Sequence, residues 1–144
     1  MNLTGARALT LLNPWAHLIA HYGKNVENRT WMPHAGVDRL YIHAGKGWED
    51  SELGDMWQDT AEAITTSAIV AVADLAFACN TSRDVPVLAC GCDPNWAMPG
   101  HCHWNLTNIL ALPEPVPCRG AQGLWTPAPV IVEAVAAQLT AVAS

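Results

Sequence analysis

The spacing of apolar and polar residues predicts a helix near the start of the chain. Over residues 13–22, apolar side chains recur at helical spacing at Trp15, Leu18, Ile19 and Tyr22. Asn13 suits the N-cap, and Pro14 suits the first helical position, where a missing N–H is tolerated. Gly23 suits the position just after the helix, where a left-handed backbone is common.

Four strands are predicted after this helix. Residues 25–31 alternate, with Glu27, Arg29 and Trp31 on one face and Val26, Asn28 and Thr30 on the other. Residues 39–44 alternate in the same way. Residues 67–78 form an almost continuous apolar run, which is typical of a central strand buried on both faces. Residues 103–112 complete the set.

Two further helices and a long loop fill the remaining chain. Residues 50–66 suit an amphipathic helix that starts near Asp50 or Ser51, with acidic residues in its first turn. Residues 127–142 suit a final helix that starts at a proline, and residues 80–102 are rich in Pro, Gly, Cys and Asn and predict a loop. The order of elements favours one α+β domain over residues 1–144, with a small, mainly antiparallel, curled sheet.

Composition and charge narrow the range of partners. Hydrophobic residues make up 51% of the chain and charged residues 14%, which indicates a globular protein. The formal net charge is −6, so tight binding to long duplex DNA is not expected, because such binding needs a basic face. No secretory signal and no apolar run of about 20 residues is visible. We therefore expect a cytoplasmic protein that does not bind membranes, with its five cysteines reduced.

Five short motifs occur in order along the chain. They are Pro14-Trp15-Ala16, then Gly23-Lys24-Asn25-Val26-Glu27-Asn28-Arg29 with Trp31 behind it, then Tyr41-Ile42-His43-Ala44-Gly45-Lys46, His103-Trp104, and Gly120-Ala121-Gln122-Gly123-Leu124-Trp125. Together they resemble the ASCH family, which is named for its presence in activating signal cointegrators and belongs to the PUA-like superfamily. The resemblance extends from about residue 9 to 127.

This resemblance implies a small, mainly antiparallel β-barrel with flanking helices and a cleft lined by the signature residues. It also implies a ligand among nucleotides, modified nucleosides or single-stranded RNA. The ligand-binding residues that it indicates are Lys24, Glu27, Arg29, Trp15, Trp31, His43 and Lys46.

The residue types suit such a ligand. A lysine and an arginine can hold a phosphate or carbonyl oxygen, and Glu27 can accept a hydrogen bond from an exocyclic amine. Trp15 and Trp31 could stack on a base. Without the resemblance, Lys24, Glu27 and Arg29 would be interpreted as an ion-pair cluster, and His43 suits a buried structural histidine as well as a group at the rim of a pocket.

Two other functions remain open. Some small ASCH proteins hydrolyse N4-acetylcytidine with a lysine, a threonine three residues later and a glutamate, and others are linked to RNA cleavage. Here Lys24 matches the lysine, but Glu27 occupies the threonine position and Thr30 lies on the opposite face of the strand. A different hydrolase could use Lys24 and Glu27, with Glu27 as a general base that activates water. The third possibility is a protein-interaction adaptor.

Residues of the types that can bind zinc cluster just before and at the start of the predicted strand 103–112, at Cys90, Cys92, His101, Cys102 and His103. Structural zinc sites usually pair cysteines with two to four residues between them, whereas Cys90 and Cys92 have one. From the sequence we therefore expect free thiols, no metal and no cofactor.

Overall fold

A computed structural model describes residues 1–60, 62–80 and 90–143. These residues contain six strands and three helices. In chain order they are β1 (Arg7–Asn13), α1 (Trp15–His21), β2 (Val26–Arg29), β3 (Arg39–Trp48), α2 (Glu52–Gln58), β4 (Ala68–Asn80), β5 (Cys102–Pro117), β6 (Leu124–Trp125) and α3 (Pro129–Ala143).

The strands form one sheet in the order β2-β5-β4-β3-β1-β6. All neighbouring pairs are antiparallel except β1 and β3, which are parallel. The prediction of an α+β fold with a mainly antiparallel sheet is confirmed. The described strands leave β2 and β6 as the two edges of an open sheet, so the barrel implied by the resemblance is not confirmed.

The core has one layer on each face of the sheet. On one face, Ala16 and Ile19 of α1 pack with Leu9, Leu40 and Ile42, among others. On the other face, Val135 and Leu139 of α3 join a second layer that includes Ala8, Tyr41 and Val72. Alternation along each strand divides the side chains between these layers. The sheet is therefore covered by α1 on one side and by α3 on the other.

The four predicted strands are confirmed, each with at least one shifted end. The apolar run of β4 is buried from Ala68 to Ala73, as expected of a central strand. β3 and β5 extend beyond their alternating patterns. β3 still pairs with β1 at Trp48, and β5 still pairs with β4 at Val116 and Pro117.

The start of the chain differs from the prediction, because residues 7–13 form a strand that the sequence analysis did not identify. Ala8 and Leu9 are both fully buried, so β1 lacks the alternation that marks a strand with one exposed face. Asn13 is not the N-cap of α1. Its Nδ2 donates to the carbonyl oxygens of Gly45 and Gly47, at 2.8 and 3.0 Å, and so ties β1 to β3.

The second predicted helix is shorter than expected. α2 begins as predicted, with the Ser51 Oγ accepting a hydrogen bond from the backbone N–H of Gly54 at 3.3 Å and with acidic residues in its first turn. It ends at Gln58, directly before Asp59 and the β-branched Thr60, which both have low helix propensity. α3 and the end of α1 before Gly23 agree with the prediction. Among the described residues, no helix is long and apolar enough to cross a membrane.

Candidate functional site

The turn between α1 and β2 places the signature lysine. Gly23 has a φ of +73°, a left-handed conformation that lets the chain reverse directly after the helix. The backbone N–H of Lys24 then returns to the carbonyl oxygen of Leu18, at 3.2 Å. This turn brings the Lys24 side chain back over the beginning of β2.

Alternation along β2 sends Glu27 and Arg29 toward Lys24. The Lys24 Nζ lies 3.4 Å from one carboxylate oxygen of Glu27, and the Arg29 Nε lies 3.4 Å from the other. Lys24 is 3% exposed and Glu27 is 6% exposed. The carboxylate therefore lies between two cations in a largely desolvated setting, where such a group requires partners.

Each cation also contacts the backbone. The Lys24 Nζ donates to the carbonyl oxygen of Val26, and the Arg29 Nη2 donates to the carbonyl oxygen of Thr10 at 2.9 Å. The Arg29 Nε is buried and has no hydrogen-bond partner among the described residues, because its approach to Glu27 is a long ion pair. The Arg29 side chain as a whole is 25% exposed, so part of its guanidinium faces solvent.

Burial lowers the pKa of Lys24 below its usual value, although the negative charge of Glu27 opposes this shift. The Lys24 Nζ also lies 5.4 Å from the centre of the Trp15 ring, within the range of a cation–π contact. The Trp15 Nε1 donates to a carboxylate oxygen of Glu49 at 3.1 Å. Glu49 thus adds a second carboxylate beside the cluster.

These residues line one cavity of about 530 Å³. Its wall comes from β1, α1, β2, the start of α2 and residues 90–101 before β5, which we call the cleft-wall segment. The lining residues are Leu11, Leu12, Trp15, Lys24, Glu27, Asn28, Arg29, Glu49, Ser51, Leu53, Asn95, Trp96, Met98 and His101. We refer to this cavity as the cleft. Lys24, Glu27 and Arg29 all line it, as the spacing of the signature predicted.

One wall of the cleft was missed in the sequence analysis. Asn28 holds the segment before β5 against β2, since its Nδ2 donates to the carbonyl oxygen of Trp96 at 2.9 Å and its Oδ1 accepts from the backbone N–H of Met98 at 2.9 Å. Trp96 and Met98 consequently line the cleft. The sequence predicted only a loop over residues 80–102, of which residues 81–89 lie outside the part of the chain that the structure describes. The contact with β2 joins residues that are 68 positions apart and leaves no local signal.

Trp31 does not line the cleft, which corrects its assignment as a ligand-binding residue. Its ring packs edge-to-face on Trp104, with centres 4.9 Å apart, and its carbonyl oxygen accepts from the Trp104 Nε1 at 3.0 Å. β2 ends at Arg29, so the alternation that should have placed Trp31 beside Glu27 and Arg29 does not reach it.

His43 and Lys46 are also separate from the cleft. They line a second cavity of about 560 Å³, together with Thr10, Gly45, Ser67, Cys118, Arg119, Gly120, Ala121 and Gln122. The assignment of these two residues to the signature pocket is therefore corrected. Their motif lies on β3, which is separated from β2 in the sheet by β4 and β5.

His43 is a satisfied buried histidine. Its Nε2 lies 2.8 Å from the carbonyl oxygen of Cys118, which can only accept, so this nitrogen carries the proton. The Nδ1 then accepts from the Thr10 hydroxyl at 3.2 Å, and that hydroxyl accepts from the Trp125 Nε1 at 3.1 Å. Burial lowers the pKa of His43.

A hydrolase that uses a hydroxyl nucleophile would need a serine or threonine side chain in the cleft. Thr30 is exposed and does not line the cleft. Thr10 contacts Arg29 through its carbonyl oxygen, but its hydroxyl points into the network of His43. Among the described residues that line the cleft, Ser51 is the one with a hydroxyl side chain. Its Oγ already accepts a hydrogen bond from the Gly54 N–H at the start of α2.

A group of metal-ligating side chains lies behind the segment that forms the cleft wall. The ligand atoms of Cys79, Cys90, Cys92 and His103 all lie within 4.8 Å of one another. Burial raises the pKa of the Cys79 thiol to about 11. Burial also acts to raise the pKa of Cys90, but hydrogen bonds from the Cys92 backbone and from neighbouring side chains outweigh it, and the pKa is about 7. His101 and Cys102 lie outside this group.

Comparison with known proteins supports the fold. No family model matches the sequence, and no curated protein matches it significantly. Crystal structures of the ASCH protein from Zymomonas mobilis do match. Its serine-to-alanine variant has a TM-score of 0.61 at 12% identity, over 92% of this chain and 95% of that one. The unmodified protein has a TM-score of 0.59 at 11% identity, over 92% and 94% of the two chains. The protein described here therefore has an ASCH-like fold.

Proposed function

We propose that the cleft binds a nucleoside, a nucleotide or an unpaired base of single-stranded nucleic acid. The observation that carries this proposal is the charged cluster of Lys24, Glu27 and Arg29, whose three side chains all line one cavity and in which the Arg29 side chain is still 25% exposed. A cavity of about 530 Å³ is within the range of small-molecule sites.

The charges of the cleft favour recognition of a base over recognition of a polyphosphate. The wall contains two cations, Lys24 and Arg29, and two carboxylates, Glu27 and Glu49. A triphosphate would meet both carboxylates. A base such as cytosine offers an exocyclic amine to a carboxylate and a carbonyl oxygen to a cation, so it matches both types of group.

The aromatic residues of the wall suit the same ligand. Trp15 and Trp96 are both partly exposed and both line the cleft. Stacking of a base on an aromatic ring contributes about 1–3 kcal/mol and depends little on sequence. Trp15 is also fixed by its hydrogen bond to Glu49, so little ordering would accompany binding.

Calorimetry with cytidine, N4-acetylcytidine, the other common nucleosides and short single-stranded oligonucleotides tests the proposal. Arg29→Gln should weaken the tightest ligand about tenfold to a hundredfold, since a charge-assisted hydrogen bond contributes about 1.5–3 kcal/mol. Lys46→Gln is the matched control, because it removes the same charge from the second cavity. Unfolding curves of both variants would show that each is folded.

The control also makes the proposal refutable. If Lys46→Gln weakens binding and Arg29→Gln does not, the ligand occupies the second cavity. If neither variant changes the affinity of a ligand that binds, the cleft is not its site.

Hydrolysis in the same cleft is the second candidate function. It is favoured by the lowered pKa of Lys24 beside the Glu27 carboxylate, since perturbed groups in a cleft are common in active sites. Incubation with N4-acetylcytidine, followed by chromatography, should then release cytidine and acetate. The release should be abolished in Glu27→Gln, and ligand binding without any release would leave only the binding function.

A further inference from the structure

We propose that Cys79, Cys90, Cys92 and His103 bind one structural Zn²⁺. Three thiols and one imidazole lie with their ligand atoms within 4.8 Å of one another. Cysteine sulfur and histidine nitrogen are the ligands that zinc prefers, and three cysteines with one histidine form a closed tetrahedral set. The chemistry of the group therefore selects a soft or borderline metal, and a structural role rather than a catalytic one.

The sheet brings together two of the four ligands. Cys79 on β4 and His103 on β5 are directly opposed across an antiparallel pair. Side chains of opposed residues point to the same face and lie close together. These two residues are far apart in the chain, so their proximity is a property of the fold.

The other two ligands come from one turn. Gly91 has a φ of +77°, a left-handed conformation between Cys90 and Cys92. This turn directs both thiols toward the β4–β5 pair. The single-residue spacer, which was the reason to expect no zinc from the sequence, is consistent with a site in which the two remaining ligands are supplied by strands.

The distances suit a tetrahedral site. With Zn–S of about 2.3 Å and Zn–N of about 2.0–2.1 Å, a tetrahedron has S···S edges of about 3.8 Å and S···N edges of about 3.6 Å. The Cys90 Sγ lies 3.5 Å from the His103 Nδ1. The limit of 4.8 Å on all the separations means that small side-chain movements would complete the geometry.

The surroundings already orient two of the ligands. The His103 Nε2 lies 2.6 Å from the carbonyl oxygen of Met98, which can only accept, so the Nε2 carries the proton and the lone pair of the Nδ1 faces the cysteines. Zinc-binding histidines usually have such a partner on the second nitrogen. The Asn105 Nδ2 also donates to the Cys92 Sγ at 3.4 Å, a contact that would stabilise a thiolate.

The proposed site lies directly behind the cleft. Asn28, His103 and Cys79 form one row across β2, β5 and β4. Asn28 and His103 both contact the segment that includes Met98, and the same segment begins at the two cysteines of the turn. A bound metal would therefore fix the chain that supplies Trp96 and Met98 to the cleft wall.

Metal analysis of the intact protein tests the proposal. Protein purified without a chelator should contain one zinc ion per chain, as measured by elemental mass spectrometry. Apoprotein titrated with Co²⁺ should develop the strong visible absorption of a tetrahedral cobalt–thiolate site. Cys92→Ser should reduce both signals severalfold or more, whereas Cys118→Ser should reduce neither, because Cys118 lies at the second cavity.

The cobalt titration of the unmodified chain keeps the test informative even if Cys92→Ser fails to fold. Absence of zinc together with absence of a tetrahedral cobalt spectrum would overturn the proposal. A disulfide among the three cysteines, detected in the unreduced protein as the loss of two hydrogens in mass, would overturn it as well. Equal metal content in Cys92→Ser and the parent would assign the metal to other residues.

A second consequence rests on the proposed function. Removing zinc with a chelator should weaken nucleoside binding in the cleft and lower the thermal midpoint of unfolding. The metal content is measured without a nucleoside, so failure of the proposed function would leave the metal result intact. Conversely, equal affinity for nucleosides with and without metal would support the proposed function and would refute the effect of the metal on the cleft.

Discussion

Buried polar side chains in this protein differ in how completely the fold satisfies them. His43 uses both ring nitrogens, one toward Cys118 and one toward Thr10. Arg29 retains a buried Nε without a hydrogen-bond partner among the described residues. A fully satisfied group stabilises one conformation, whereas the Arg29 side chain is 25% exposed and lines the cleft, where a ligand can reach it. This difference separates the structural histidine from the cleft, although both were assigned to one pocket from the sequence.

The environment of His43 predicts a pH dependence of stability. Burial lowers its pKa below the ordinary value of 6.5, so below that pH the unfolded chain binds more protons than the folded one. The contribution of His43 is therefore fully present above about 6.5 and is lost as the pH falls through the lower pKa of the folded state. Urea unfolding from about pH 8 to about pH 5 should show this decline.

His43→Gln isolates the effect, because glutamine offers a donor and an acceptor but does not titrate. At about pH 8 the variant should be less stable by about 1–2 kcal/mol, since its hydrogen bonds are less well placed. The difference between the two proteins should shrink as the pH falls. A difference that grows toward acid would contradict the assigned pKa direction.

Short contacts between elements that are distant in the chain build the cleft. β2 has only four residues, and one of them, Asn28, holds the cleft-wall segment through two hydrogen bonds. His103 and the small apolar cluster of Val26, Cys92 and Ala97 also anchor this segment. The wall of the cleft therefore depends on side-chain contacts more than on strand pairing.

Asn28→Ala should loosen this wall. Losing two hydrogen bonds should lower the free energy of unfolding by about 1–3 kcal/mol and should speed amide exchange in residues 90–101. Gln138→Ala is a suitable control, because Gln138 makes two hydrogen bonds to the backbone of Glu114 on another part of the sheet. It should reduce stability by a similar amount and leave exchange in residues 90–101 unchanged. Equal exchange in that segment for the parent and Asn28→Ala would refute the role given to Asn28.

The whole molecule is acidic, with 13 Asp and Glu against 7 Lys and Arg. Two of the basic residues, Lys24 and Arg29, are committed to the cleft, and Arg39 is paired with Asp74 at 2.7 Å. Few cations remain for a surface that could follow a phosphate backbone. Recognition by this protein is therefore expected to depend on one base in a pocket rather than on many phosphates.

Duplex DNA should accordingly bind weakly. At physiological salt, the affinity for a short random duplex should lie at or below the nonspecific range of about 10⁻⁴–10⁻⁶ M, because little counterion release is available. Fluorescence anisotropy with labelled duplex measures this, and a single strand of the same sequence is the control. Submicromolar binding of the duplex would contradict this prediction and would show that the protein has a basic face despite its net negative charge.

The elements could largely be predicted from local patterns, because apolar spacing and capping act within a few residues. The strands of the sheet other than β1 and β6, the Ser51 cap of α2 and the turn at Gly23 follow from such signals. β1 was not predicted, because Thr10 interrupts its apolar residues, which therefore show neither the alternation of a half-exposed strand nor the continuous apolar run that marks β4. β6 has two residues, too few to show a pattern.

The sequence by itself determined the α+β class, the net charge of −6 and the convergence of Lys24, Glu27 and Arg29, since their spacing over one turn and one short strand places these side chains together. Tertiary structure alone decided that His43 and Lys46 lie in a second cavity, that Trp31 packs on Trp104, and that Trp96 reaches the cleft. It also decided that Cys79 and His103 meet across two strands beside the turn of Cys90 and Cys92. The physical reason is that strand pairing joins residues without regard to their separation in the chain, whereas sequence patterns report only the nearest neighbours.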